Sequence, residues 1–182
     1  MKHTGTQTIE TDRLVLRRFT VEDAEAMYRN WACDPEVTRF LRWAPHANAE
    51  VTRGLLEEWV ENYRKQDYYH WAIEVKEDHA LIGSIGILDV SELDECGEIG
   101  YCIGKRWWGK GIMTEAVKAL IAFAFQKIGL HRLEAYHSVN NPASGRVMQK
   151  AGMIFEGTAR QKYKCRDGFQ DSNLYAILNE KA

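Results

Sequence analysis

The stretch Arg106-Trp107-Trp108-Gly109-Lys110-Gly111 has the residue types of an anion site. It falls between a segment that reads as a strand and a long helical pattern. Glycine is a poor helix former, so two in three positions weaken a helix start unless bare backbone is needed there. A helix N-terminus collects N–H groups without intrahelical partners and the positive end of the helix dipole, which suits an anionic group. Gly109 and Gly111 carry no Cβ, so backbone amides can close on a phosphate while Lys105, Arg106 and Lys110 supply charge. Taken alone, the same glycines fit a tight connection with no ligand.

Other reactive side chains are less telling. His131 and His137 fall on one strand face with no further ligand near in sequence, so no metal site is expected. The four cysteines, Cys33, Cys96, Cys102 and Cys165, form no CxxC pair and read as reduced thiols of a cytoplasmic protein.

The loop needs elements to hold it. "RLVLRRF" (13–19) sets Leu14 and Leu16 at alternate positions between flanking arginines and predicts a strand. "TVEDAEAMYRNWA" predicts a helix with Thr20 as its N-cap. From 48 to 66, Val51, Leu55, Trp59, Val60 and Tyr63 recur at helical spacing. Strands follow over 70–76, 80–90 and 97–104. The helix at about 110–128 has an apolar stripe, Ile112, Ala116, Val117, Leu120, Ile121, Ala124 and Ile128, and ends at Gly129. After a strand at 131–139, "NPASGRVMQKAGM" opens a short helix with Asn141 as cap and Pro142 at its first position. Strands at about 153–161 and 170–178 finish the chain. Strand 97–104, helix 110–128 and strand 131–139 form a βαβ unit.

Composition sets limits. The chain has 182 residues and a formal charge of −2, which fits one domain and argues against a general nucleic-acid binder. There is no apolar N-terminal leader, and the longest apolar run, "ALIAFAF", is too short for a membrane span.

"RWWGKG" resembles the [Q/R]-x-x-G-x-[G/A] acetyl-CoA pyrophosphate loop of the GNAT superfamily of N-acetyltransferases. "NPASGRVMQKAGM" resembles their N-x-x-[A/S] helix, and "TDRLVLRRFTVEDAEAM" their opening strand and helix. Within the superfamily, "EIGYCIG…WWGKGIMTEA" looks closest to the RimJ/RimL-like branch that acetylates N-terminal amines of ribosomal proteins.

The resemblance implies an α/β (α+β) fold over residues 10–178: a mixed, twisted sheet of about seven strands, splayed at its centre, with about four helices. Acetyl-CoA would lie in the splay as co-substrate, without a metal. Backbone of Cys102, Ile103 and Gly104 would pair with the pantetheine arm. The loop Arg106, Trp108, Gly109, Lys110, Gly111 and Ile112 would hold the pyrophosphate. Asn141 would hydrogen-bond the pantetheine, and Arg146 or Lys150 would reach the adenosine phosphate. The reaction would be direct acyl transfer to a primary amine, either a protein N-terminus or a small amine such as an amino acid, polyamine or drug. A non-catalytic acyl-CoA-binding module is the rival class.

Site roles follow from the same resemblance. Glu98 matches a glutamate base, or is a surface residue starting a strand. The Cys102 N–H matches the oxyanion donor. The usual tyrosine acid is replaced by Met148, so Ser144 would protonate the thiolate or merely cap its helix, with Tyr136 and Tyr163 as substitutes. Trp31, Trp43 and Tyr69, from the region that walls the acceptor pocket in the superfamily, would contact substrate or simply pack the core. The implied partner is the amine acceptor, not nucleic acid or membrane, with the chain alone or as a homodimer.

Overall fold

Alternating burial along Leu14–Arg17 sets Leu14 and Leu16 wholly inside, whereas the run from Leu81 to Ile87 in the same sheet is buried on both faces. The computed structural model describes residues 1–180. Its strands are β1 (Ile9–Glu10), β2 (Leu14–Arg17), β3 (Tyr69–Val75), β4 (Leu81–Ser91), β5 (Cys96–Ile103), β6 (Arg132–Ser138), β7 (Ile154–Cys165) and β8 (Gly168–Leu178). They lie in the order β1-β2-β3-β4-β5-β6-β8-β7, antiparallel except for β5 and β6. The strand beyond the expected seven is β1, whose two residues are too few to show an alternation.

A parallel pair needs a crossover, and α3 (Ile112–Phe123) provides it. It starts two residues later than the sequence pattern suggests, because Gly109 and Gly111 belong to the loop. It continues as a π-helical turn, Ala124–Ile128, and stops at Gly129 with φ 79°. Ile112, Met113, Val117, Leu120 and Ile121 are buried on the sheet, each stabilising the fold by roughly 1.5–3 kcal/mol. The helix α4 (Pro142–Lys150) packs beside it.

Across the sheet, a second apolar cluster gathers α1 (Ala24–Met27), the π-helical turn Tyr28–Ala32 and α2 (Ala49–Asn62). The stripe read on α2 holds in part: Leu55, Trp59 and, just past the helix, Tyr63 pack on this cluster, whereas Val51 and Val60 are exposed and Thr52 and Leu56 face inward instead. Asn48 caps α2 by accepting from Val51 N–H at 3.1 Å.

Candidate active site

β5 and β6 pair only through Cys96–Arg132, Gly97–Leu133 and Glu98–Glu134. Beyond Glu98 they part around a cleft of about 980 Å³. Strand alternation decides which backbone faces that opening. Gly104 N–H donates to Ile82 O on β4, and Glu95 O accepts from Arg132 N–H on the β6 side. Even-numbered residues of β5 therefore turn their backbone to β4, and Ile99, Tyr101 and Ile103 turn theirs to the opening. This corrects two expectations. The Cys102 N–H is spent on β4, as is that of Gly104, so neither lies on the open edge. The Ile103 carbonyl is also occupied, by Trp108 Nε1–H at 2.8 Å.

The glycine loop closes the head of the cleft. Gly109 and Gly111 adopt φ 73° and 74°, the left-handed region that favours glycine. Gly111 occupies the N-cap of α3. Among the described residues, the N–H groups of Gly111, Ile112, Met113 and Thr114 have no acceptor. The loop is pinned by a residue the sequence reading passed over. Arg13 donates from Nε to Glu115 at 2.6 Å and from Nη1 to the Lys110 carbonyl at 3.1 Å. The loop cations do not turn inward as expected. Lys105 pairs with Glu36 at 2.6 Å, and neither Lys105, Arg106 nor Lys110 lines the cleft. The cations that do line this part are Arg146 and Lys150, one turn apart on α4.

Asn141 stands at the N-cap of α4, but its side chain makes no capping bond and lines the cleft. Ser144 follows one turn on. The Tyr101 hydroxyl donates to the Ser144 carbonyl at 3.0 Å and lies 2.9 Å from Ser144 Oγ. Burial pushes the Tyr101 hydroxyl pKa up, so the phenol keeps its proton. Tyr101 was legible only by parity, since odd positions of β5 face α4. Met148 is buried in the core.

α4 is held against β6 by the absence of a side chain at Gly145. A Cβ there would stand 2.4 Å from Nε2 of His137, a buried ring already tied through Nδ1 to the Ser138 carbonyl oxygen at 2.7 Å. Gly145→Ala should therefore destabilise the fold by about 1–3 kcal/mol, read as a Tm lowered by roughly 2–10 °C. An unchanged Tm would show that His137 can move aside.

The other end of the cleft holds Glu98 on the opposite face of the sheet from Tyr101. Its carboxylate is half-buried and accepts no hydrogen bond from a described residue. Burial raises its pKa, against the lowering effect of Lys162 and Arg42. Tyr136, Tyr163 and Asp89 complete this end. Tyr136 and Tyr163 thus sit with Glu98, and the hydroxyl of Tyr163 is spent on the Phe40 carbonyl at 3.0 Å. The expected aromatic wall is elsewhere. Trp31 is fully buried, Trp43 packs on His46, and Tyr69 is buried beside Thr4; none lines the cleft. Cys102 lines it but is not a nucleophile by its surroundings: burial raises the thiol pKa, and Sγ lies 3.3 Å from Ser84 Oγ.

A mixed sheet splayed beside a glycine loop that heads a helix is the architecture of an acyl-CoA-dependent acyltransferase. Residues 13–154 match the family model for the acetyltransferase (GNAT) domain, and the chain belongs to this family of N-acetyltransferases. It is 32% identical to the uncharacterized N-acetyltransferase YoaA of Bacillus subtilis (strain 168), covering 95% of this chain and 97% of that one. A 103-residue stretch is 38% identical to the ribosomal-protein-serine acetyltransferase of Escherichia coli (strain K12), covering 57% of each chain. The structure of a GNAT-family acetyltransferase from Bacillus anthracis superposes with a TM-score of 0.82 at 26% identity, covering 94% and 98% of the two chains.

Proposed function

We propose that this chain transfers an acetyl group from acetyl-CoA directly to a primary amine. The observation that carries the reading is the run of unpartnered amides at Gly111–Thr114, continuous with an open strand edge that leads to Glu98. Those amides suit a pyrophosphate. Arg146 and Lys150 suit the adenosine phosphate, and the Asn141 amide with the Tyr101 and Ile103 edge suits the pantetheine arm. Bound there, the coenzyme supplies an acetyl thioester.

The chain's own groups divide the proton work. A primary amine is protonated at neutral pH and must lose a proton to attack. Glu98 accepts that proton, and burial, which raises its pKa, makes it a better base. The Ser144–Tyr101 pair holds a proton for the departing sulfur on the opposite face of the sheet. The first candidate acceptor is a protein N-terminus such as that of a ribosomal protein, on the strength of the relative that acts on ribosomal-protein serine.

Thiol release from acetyl-CoA, measured over a panel of peptides and small amines, tests the reading. Acetyl-CoA binding with no release for any amine would leave a non-catalytic binder. Ser144→Ala should lower kcat about 10-fold with acetyl-CoA affinity unchanged, because the Tyr101 hydroxyl remains 3.0 Å from the same backbone and can take over part of the role. A loss confined to binding would make Ser144 a coenzyme ligand.

A further inference from the structure

Resting on that reading, we infer that the acceptor is a primary amine carrying a carboxylate close to the nitrogen, recognised by Arg42 and Lys162. Both line the cleft at the Glu98 end. They come from separate segments and converge on one ring. Arg42 Nη2 donates to the Tyr136 hydroxyl at 2.8 Å, and Lys162 Nζ lies 4.8 Å from the Tyr136 ring centroid. The bond from Tyr163 to the Phe40 carbonyl ties the Arg42 segment to β7, which carries Lys162. Arg42 also lies 5.4 Å from the Tyr163 ring centroid.

Neither cation is held in an ion pair by a described residue, although both are near enough to Glu98 to favour its ionised form. Arg39 pairs with Asp167 at 2.9 Å, Arg132 with Glu134 at 2.6 Å and Lys105 with Glu36 at 2.6 Å. Arg42 and Lys162 form no ion pair with any described residue. Arg42 spends one N–H on Tyr136 and keeps the rest of its planar fork for a carboxylate.

The same end of the cleft carries Glu98 and Asp89. The carboxylates draw an ammonium, and the cations draw an anion. A polyamine would place a second positive charge against Arg42 and Lys162, whereas a zwitterionic acceptor satisfies both halves. The carboxylate can belong to a free α-amino acid or to an acidic side chain next to a peptide N-terminus.

Matched acceptor pairs test this with the full-length protein on the alkaline plateau of its activity. One pair is an α-amino acid and its α-amide; the other is a peptide with Asp or Asn at its second position. The carboxylate member of at least one pair should be preferred about 10-fold in kcat/KM, through KM. The pair that shows the preference identifies the source of the carboxylate. Arg42→Gln keeps a donor for Tyr136, and Lys162→Gln removes only the charge. Each should erase most of the preference by raising KM for the carboxylate member, with kcat within about two-fold. Neither should change the rate on the neutral member or the affinity for acetyl-CoA. Turnover without discrimination in either pair, or discrimination that survives both substitutions, overturns the inference alone. No turnover with any acceptor overturns it together with the transferase reading.

Discussion

Gly111→Val should weaken acetyl-CoA binding by roughly 10²-fold, measured by calorimetry, while the unfolding transition stays cooperative. Two effects add. Gly111 has φ 74°, where a β-branched residue is strained by about 1–3 kcal/mol, so the loop relaxes away from the geometry that gathers the amides. The amides of Gly111 and Ile112 then lose their alignment, and a hydrogen bond to a charged group contributes about 1.5–3 kcal/mol. The fold itself has room for the change. Among the described residues beyond the adjoining backbone, an added Cβ would meet only Arg13 Nη2, at 3.8 Å, an ordinary contact distance. Gly111→Ala, with the same φ problem and less bulk, should fall between wild type and valine. Wild-type affinity in both variants would make the loop a plain connection.

The regular elements were legible because burial and period coincide along them. Leu14 and Leu16 of β2 and the Ile112–Ile128 stripe of α3 each repeat at the spacing of their own structure. Val51 and Val60 misled because α2 is half exposed, and its inward face includes Thr52, which no apolar pattern marks. The glycine loop could be placed by its neighbours in sequence. The destination of its cations could not, since Lys105 finds Glu36 only through the packing of the Tyr28–Ala32 turn and the loop that follows it. The substrate end was least legible. Arg42, Lys162 and Tyr136 come from three distant segments: the pairing of β6, β7 and β8 brings Tyr136 and Lys162 together, and the bond from Tyr163 to the Phe40 carbonyl adds Arg42. The expected Trp31 and Tyr69 are large aromatics, and a small domain buries such residues first. Cys102 failed for a different reason: its residue lines the cleft, but its N–H points sideways along the sheet, toward β4.

Glu98→Gln should lower kcat/KM by roughly 10²-fold near neutral pH, with acetyl-CoA affinity unchanged. The substitution keeps the shape and removes the proton acceptor. The deficit should shrink as pH rises, because the free amine then forms without help. The wild-type acid limb carries a sharper signature. Burial is the largest influence on Glu98 and raises its pKa, so activity should rise with pH through a limb above the ordinary carboxylate range. Lys162 and Arg42 oppose that shift, since a nearby positive charge favours the ionised form. Lys162→Gln should therefore move the limb to higher pH, and Glu98→Gln should abolish it. A role in holding the acceptor would instead give the same deficit at every pH and a limb that ignores Lys162. Wild-type rates for Glu98→Gln across the range would remove Glu98 from the chemistry and leave the proton to water.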